Sequence, residues 1–343
     1  MISYRTGNII IDDSEAIVNT VNCVGVMGKG LALQFKKAFL DNFKQYKSAC
    51  DRKEVKIGKM FVTEQGDMFN RKFIINFPTK DHWKGKSKYE YIESGLDDLA
   101  IKIQEYGIKS IAIPPLGAGL GGLEWSTVKS MIIDKLGSIQ DVSINIYEPL
   151  GSPDAKDIVI NTKVPNMTKG RALLLKLLGI YSSKGYECTK LEAQKLAYFL
   201  QEAGVDLKLK YEAHNFGPYA DNLNHVLSHI DGHFISGFGD RVAKSRISII
   251  NNSLDAAEEY LSNHPESDEA ICKVEKLIRG YETPLSMEVL STVHWVVKHE
   301  GYSPNDFDSI KLFIYQWNDH KASIKEKYLK KALSRLESNC WVS

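Results

Sequence analysis

Lys80 follows the apolar run Phe73-Ile74-Ile75-Asn76-Phe77, with Pro78 and Thr79 placing it on a turn just past that run. An unperturbed lysine ammonium has a pKa of about 10.4 and is a poor nucleophile at neutral pH. Partial desolvation, or nearby cations such as Lys29 and Lys84, would lower that value and free the amine to attack an electrophilic carbon. Alternatively, the charged ammonium would stabilise negative charge as water attacks, or protonate a leaving nitrogen. A solvated lysine touching a phosphate is the simpler alternative. Lys80, His82, Lys84, Lys86 and Lys88 alternate with Asp81, Trp83, Gly85, Ser87 and Tyr89. Cations interleaved with an aromatic suit a single-stranded nucleic acid, which is neutralised along its phosphates and stacked at its bases. Such a stretch is equally the pattern of a soluble loop.

Two glycine clusters supply candidate anion sites. The first is Asn22-Cys23-Val24-Gly25-Val26-Met27-Gly28-Lys29-Gly30, and the second is Pro114-Pro115-Leu116-Gly117-Ala118-Gly119-Leu120-Gly121-Gly122-Leu123-Glu124-Trp125. Each follows an apolar run and precedes a helical pattern, so backbone N–H groups and a helix start can converge on an anion. Either loop alone reads as a tight turn; the pair favours a ligand with two phosphates. A P-loop is excluded, because Lys29 is followed by Gly30 rather than Ser or Thr and Gly25 lies too close to it. No G-x-G-x-x-G follows the first apolar run, which disfavours a dinucleotide site of the Rossmann type.

The elements that must carry these residues alternate through residues 1–149. Strands are expected at 16–21, 73–77, 110–113 and 142–147, and helices at 30–46, 89–106 and 126–137. That alternation predicts an α/β domain, a mixed, largely parallel sheet flanked by helices, with ligands at the carboxyl ends of its strands. Pro149, Gly151, Pro153 and Pro165 punctuate residues 150–166, read as a linker. Residues 167–343 read as a mainly α-helical second domain. Its clearest helix starts at Thr189, with Glu192 completing a capping box and Gly204 ending it. Strand-like pieces are expected from Leu207 to Tyr211 and around Phe234.

The 343 residues carry 44 Lys+Arg against 43 Asp+Glu, a formal charge of +1. This excludes a polybasic protein held on nucleic acid by net charge alone. No apolar run approaches the roughly 18 residues that span a bilayer, and the opening residues do not read as a signal peptide. The five cysteines, Cys23, Cys50, Cys188, Cys272 and Cys340, are scattered with no C-x-x-C pair, so a reducing cytoplasm is expected and no metal.

Gly7-Asn8-Ile9, the string from Ala16 to Lys36 through the first glycine loop, the segment Asn76-Phe77-Pro78-Thr79-Lys80-Asp81-His82-Trp83 and the second glycine loop together resemble the macrodomain, the ADP-ribose-binding fold. Within it they resemble the antitoxin branch of the DarT/DarG toxin–antitoxin pairs and, more distantly, the terminal ADP-ribose protein glycohydrolases. The resemblance covers roughly the first 150 residues. It implies removal of ADP-ribose from thymine bases of single-stranded DNA, with Lys80 catalytic. It puts Asn22 at the distal ribose, Ile9 at the adenine and Asn8 among the ADP-ribose-binding residues. Gly28, Lys29, Gly30, Leu31, Thr79, Gly117, Ala118, Gly119, Leu120, Gly121 and Gly122 fall around the ligand; His82, Trp83 and Lys84, on the alternating stretch, are candidate DNA contacts by that pattern. The protein-directed relatives carry a catalytic aspartate in the second loop, where this chain reads Gly121-Gly122. No cofactor is implied, since ADP-ribose is the product.

In the second half, His225, His229 and His233 share a helical spacing, but no further ligand set accompanies them and surface histidines are expected. Leu173, Leu174, Leu177 and Leu178 form a core stripe. Asn215-Phe216-Gly217-Pro218-Tyr219 reads as a turn before a helix and, with residues 190–199, is similar to the helical domain of SocA-like proteins. The resemblance implies that this half binds a DarT-type toxin. Two rival readings remain: a module that binds ADP-ribose without cleaving it, and a hydrolase of ADP-ribosylated protein esters.

Overall fold

The computed structural model describes residues 1–66, 71–149, 158–183, 185–239, 246–250 and 252–342. The chain divides into two compact units, Met1–Lys163 and Val164–Ser343.

The first unit is built on strands β1 (Ile2–Arg5), β2 (Ala16–Asn22), β3 (Phe61–Gln65), β4 (Lys72–Lys80), β5 (Ser110–Ile113) and β6 (Ser143–Tyr147). They form one sheet in the order β1-β6-β5-β2-β4-β3, parallel throughout except for the edge pair β3–β4. The inner strands are near-continuous apolar runs because both faces of the sheet are covered. Alternate residues of β2 point opposite ways. Ala16 and Val18 join Ile75 and Phe77 under helices α3 (Tyr89–Glu105) and α4 (Trp125–Leu136), whereas Ile17 joins Ile74 and Phe35 under helix α1 (Gly30–Ala38). Helix α2 (Leu40–Asp51) adds Tyr46 and Ala49 against Val21 and Met27.

Three features depart from the expected elements. The helix expected over residues 30–46 breaks at Phe39 (φ −128°, ψ 74°) into α1 and α2. Strand β4 runs through Pro78 to Lys80, so Lys80 is the last strand residue and not part of a turn. The β2–β4 register shifts between Val21 and Asn22, beside Pro78, and an irregular ladder is where a residue without an N–H is tolerated. The edge strands β1 and β3 are short, partly exposed and mixed in polarity, and they carry no clear strand pattern. Of the expected linker, residues 150–157 lie outside the described residues. Val159 packs on the α1 side of the sheet, and the Asn161 amide donates to the Ala38 carbonyl at 2.9 Å, so this stretch belongs to the first unit.

The second unit is mainly helical. Helices α5 (Lys169–Ser183), α6 (Lys190–Glu202) and α10 (Pro284–Lys298) bring Leu173, Leu177, Leu196, Phe199, Leu290 and Val293 into one core. The capping box at Thr189 and Glu192 is formed. The expected strand at 207–211 begins only at Tyr211, as the first strand of a hairpin, β8 (Tyr211–His214) and β9 (Gly217–Ala220). Pro218 therefore sits in a strand; the next helix, α7 (Leu223–Ile230), starts later. His225 and His229 are exposed on α7 and His233 lies beyond it. Among the described residues no group of three or more His, Cys, Asp or Glu is placed to hold a metal, and no helix is long and apolar enough to cross a membrane.

Beneath the β8–β9 hairpin lies a buried charge cluster. Lys321 Nζ donates to Glu288 Oε1 and to Thr292 Oγ1, both at 2.7 Å, and Lys195 Nζ donates to the Pro218 carbonyl at 2.7 Å. Burial, reinforced by the Lys321 charge, pushes the Lys195 ammonium down to about 7. The unfolded chain, with an ordinary lysine, then holds more protons between about pH 7 and 10, so stability rises with pH in that window. Thermal melting of the intact chain should show the second-unit transition climbing by on the order of 5 °C from pH 7 to 9. The Lys195→Met variant should show a flatter dependence; an equally steep one would contradict the assignment.

Candidate active site

The parallel strands β2, β4 and β5 end together, and three loops leave their carboxyl ends. Loop one (residues 23–29) leads from β2 into α1. Loop two (114–124) leads from β5 into α4. Loop three (81–88) leads from β4 into α3. Asn22 and Lys80, the last residues of β2 and β4, are ladder partners, and the Cys23 N–H donates to the Asp81 carbonyl at 3.0 Å. The loops thus start from adjacent, hydrogen-bonded points.

Lys80 is half-buried, and its Nζ donates to the Leu120 carbonyl of loop two at 2.6 Å. Burial lowers its pKa below the ordinary lysine value. Its acceptor is a neutral carbonyl. A carboxylate at position 121 is sterically excluded: a Cβ there would overlap the Gly117 carbonyl oxygen and the Ser87 hydroxyl. Gly122 (φ +80°) and Gly119 are exposed with nothing near their missing side chains, and the Gly122 N–H donates to the Gly119 carbonyl at 3.1 Å, closing a turn. Ala118 is half-buried, and Leu120 is 69% exposed. The side chain of Leu120 reaches loop one's end of the site, where a Cβ on Gly30 would lie 3.7 Å from its Cδ1.

Asn22 does something other than face a ligand freely. Its Oδ1 accepts from the Val24 N–H at 3.0 Å and the Val26 N–H at 3.3 Å, and its Nδ2 donates to the Val26 carbonyl at 2.6 Å. Its own carbonyl accepts from the buried Tyr46 hydroxyl at 2.6 Å. The side chain therefore shapes loop one, with one amide hydrogen left over. Gly28 is half-buried and Lys29 exposed at the α1 N-cap, where no side chain caps the helix. The first-turn N–H groups of α1 are thus available to an anion. Loop two differs: Glu124 caps α4 itself, accepting from Thr127 N–H at 3.0 Å, so the start of that helix already holds a carboxylate. Hydrogen bonds from Ser126 and Thr127 hold that carboxyl below its usual range. Of the two glycine loops, only the first leads into a helix start that no side chain caps.

Leu31 packs with Ile9 and Phe35, and Ile9 is 4% exposed, so its side chain is core; Ile11 is the exposed apolar residue of that turn, at 66%. Asn8 Oδ1 accepts from the Ile10 N–H at 3.0 Å, capping the short turn 9–11. Thr79 is buried, donating to the Val21 carbonyl at 3.4 Å. On loop three His82, Trp83 and Lys84 are exposed and mutually packed, with Lys84 Nζ 5.2 Å from the centre of the Trp83 ring. Ser87, Tyr46 and Tyr89, whose hydroxyl accepts from Glu124 N–H at 3.2 Å, were not singled out by type or spacing. The Asn22→Ala variant should speed amide hydrogen exchange at Val24 and Val26 by about tenfold or more, since their hydrogen bonds to one side chain are lost; unchanged exchange would remove Asn22 from that role.

A macro-domain family model matches residues 18–132. A "DNA ADP-ribosyl glycohydrolase" of Thermus aquaticus is 48% identical over 98% of this chain and 93% of its own length. A protein of the same description from Mycobacterium tuberculosis is 41% identical over 88% of this chain and 89% of its own. A Thermosipho africanus "DNA ADP-ribosyl transferase-DNA ADP-ribosyl glycohydrolase fusion protein" is 37% identical over 43% of this chain and 42% of its own length. With near full-length identity to such relatives and a macrodomain sheet as its first unit, this chain belongs to the DNA ADP-ribosyl glycohydrolase family and is a glycosyl hydrolase.

Proposed function

We propose that this enzyme removes ADP-ribose from thymidine bases of single-stranded DNA by hydrolysing the N-glycosidic bond, with Lys80 as its catalytic amine. The observation that carries the reading is that amine: half-buried at the end of β4, depressed by burial, and held by a neutral carbonyl next to Gly121, where a side chain does not fit. A carboxylate partner would favour the charged form; a neutral acceptor in a desolvated place leaves a larger fraction of free amine. The lone pair of that amine forms a bond to the anomeric carbon of the distal ribose, and the bond to the thymine nitrogen breaks. The thymine nitrogen keeps the pair and takes a proton from solvent. Water then releases lysine and ADP-ribose, through a Schiff base of the opened sugar. The reading calls for no metal or cofactor. The loop aspartate of ester-directed relatives is missing, this chain reading Gly121-Gly122 there, which argues mildly against lysine–aspartate chemistry.

The diphosphate takes the uncapped start of α1 with Gly28, Lys29, Gly30 and Leu31, and the exposed face of loop two at Gly119, Leu120 and Gly122. Trp83, 48% exposed beside Lys84, stacks a base of the DNA strand while Lys84 and His82 meet its phosphates. The second unit binds and neutralises a DarT-type ADP-ribosyltransferase; the Thermosipho africanus relative, described as a transferase and glycohydrolase in one chain, supports that partner.

Single-turnover assays on an ADP-ribosylated single-stranded oligonucleotide test the catalytic role. Lys80→Ala should lose about 10²-fold or more in rate while still binding free ADP-ribose. Turnover at the wild-type rate would refute it. The Trp83→Ala variant should raise KM for the oligonucleotide about tenfold, in line with the loss of one stacked base, and leave affinity for free ADP-ribose unchanged; an unchanged KM would remove Trp83 from the DNA surface.

A further inference from the structure

Loop three leaves Lys80, passes through His82, Trp83 and Lys84, and returns at Ser87 to touch loop two. The Ser87 N–H donates to the Gly121 carbonyl at 3.1 Å. Its side chain, 6% exposed, fills a socket made by two glycines. A Cβ on Gly117 (φ +66°) would lie 3.0 Å from Ser87 Cβ, and a Cβ on Gly121 would overlap the Ser87 hydroxyl. That hydroxyl is buried and has no hydrogen-bond partner. The contact is therefore one of size and backbone: a small residue fits, and its N–H holds Gly121. The neighbouring carbonyl, Leu120, is the one that takes the Lys80 amine at 2.6 Å.

We propose that Ser87 is a positioning residue for the glycohydrolase reaction, holding loop two down over Lys80 so that the amine stays covered and aimed. The inference rests on the reading of Lys80 as the reacting amine. On the three loops that leave the strand ends beside Lys80 the titratable groups are Cys23 and Lys29 on loop one, Asp81, His82, Lys84, Lys86 and Lys88 on loop three, and Glu124 at the end of loop two. None of them accounts for the lowering of the amine, which comes from burial alone. Cover by loop two is thus what Ser87 controls. A larger residue at 87 has no room beside Gly117 and Gly121 and lifts the loop; water then replaces the Leu120 carbonyl, and the amine returns toward an ordinary lysine.

The test is the pH dependence of single-turnover rates on an ADP-ribosylated single-stranded oligonucleotide, with wild type, Ser87→Ala, Ser87→Val and Gly121→Ala, each checked for an intact fold by its melting curve. Ser87→Ala, still small and with its N–H intact, should stay within about threefold of wild type and melt no lower, because the hydroxyl it removes has no partner. Ser87→Val should lose about tenfold or more at pH 7 and recover most of that by pH 9, its acidic limb displaced upward by about one unit. Gly121→Ala presses on the Ser87 hydroxyl from the other side, and on the Gly117 carbonyl as well, and should displace the limb in the same direction, so the inference stays testable if one variant fails to fold. A pH-independent loss in the folded variants, or no loss at all, would overturn the positioning role. Lys80→Ala run alongside separates the two readings: if it retains turnover, the assignment of the amine fails, whatever Ser87 does.

Discussion

The first unit depends chemically on an amine held by a carbonyl. Lys80 meets Leu120 across the gap between the ends of β4 and β5, and position 121 has no space for a side chain that would bring a negative charge to it. A lysine paired with a carboxylate is stabilised as an ammonium; one covered by a neutral loop is not. The same backbone packing that folds loop two on itself, with Leu123 N–H on the Gly117 carbonyl at 3.1 Å, therefore decides which protonation state the site favours.

The loops around this amine are supported differently, and the differences divide their work. Loop one is tied from within the sheet by the Asn22 side chain and from below by the Tyr46 hydroxyl. Under it, a buried set of amides links β2, β4 and α2: Asn19 donates to Asn76 at 3.0 Å and Asn76 donates to Asn42 at 2.7 Å. Directional amide contacts of this kind fix one register where an apolar contact would permit sliding, although the Asn19 side-chain oxygen is buried without a partner. Loop two is anchored by Leu116 and Leu123 in the core under α3 and α4, and it is tethered to loop three through Ser87 and Tyr89. The loop that faces the strand of DNA in the proposed reading is thereby mechanically joined to the loop that covers the amine.

Much of this was legible from residue types. The strand expected at 16–21, the two glycine loops and the capping box at Thr189 are local signals, and each forms where local chemistry says it should, whereas Lys80, expected on a turn, ends its strand. What escaped is what depends on partners distant in the chain. Edge strands β1 and β3 are too short and too mixed to show a period of two. Pro78 stays in its strand because the shifted ladder beside it tolerates the missing N–H. The glycines of loop two look alike in sequence, yet Gly117 and Gly121 are there for packing against Ser87 while Gly119 and Gly122 face open space. Asn22 falls at the expected place by resemblance, but its amide is occupied by loop one. In the second unit, Lys195 and Lys321 carry no pattern of burial; only the fold brings Glu288 to them.

The central claim is that the Lys80 nitrogen bonds to the sugar during turnover, and reductive trapping addresses it most directly. An ADP-ribosylated single-stranded oligonucleotide would be turned over in the presence of cyanoborohydride, the protein digested, and Lys80 examined by mass spectrometry. The account predicts a reduced ADP-ribose adduct on Lys80, accumulating as activity is lost. Full turnover with no adduct on that residue, or an adduct on another lysine alone, would contradict it.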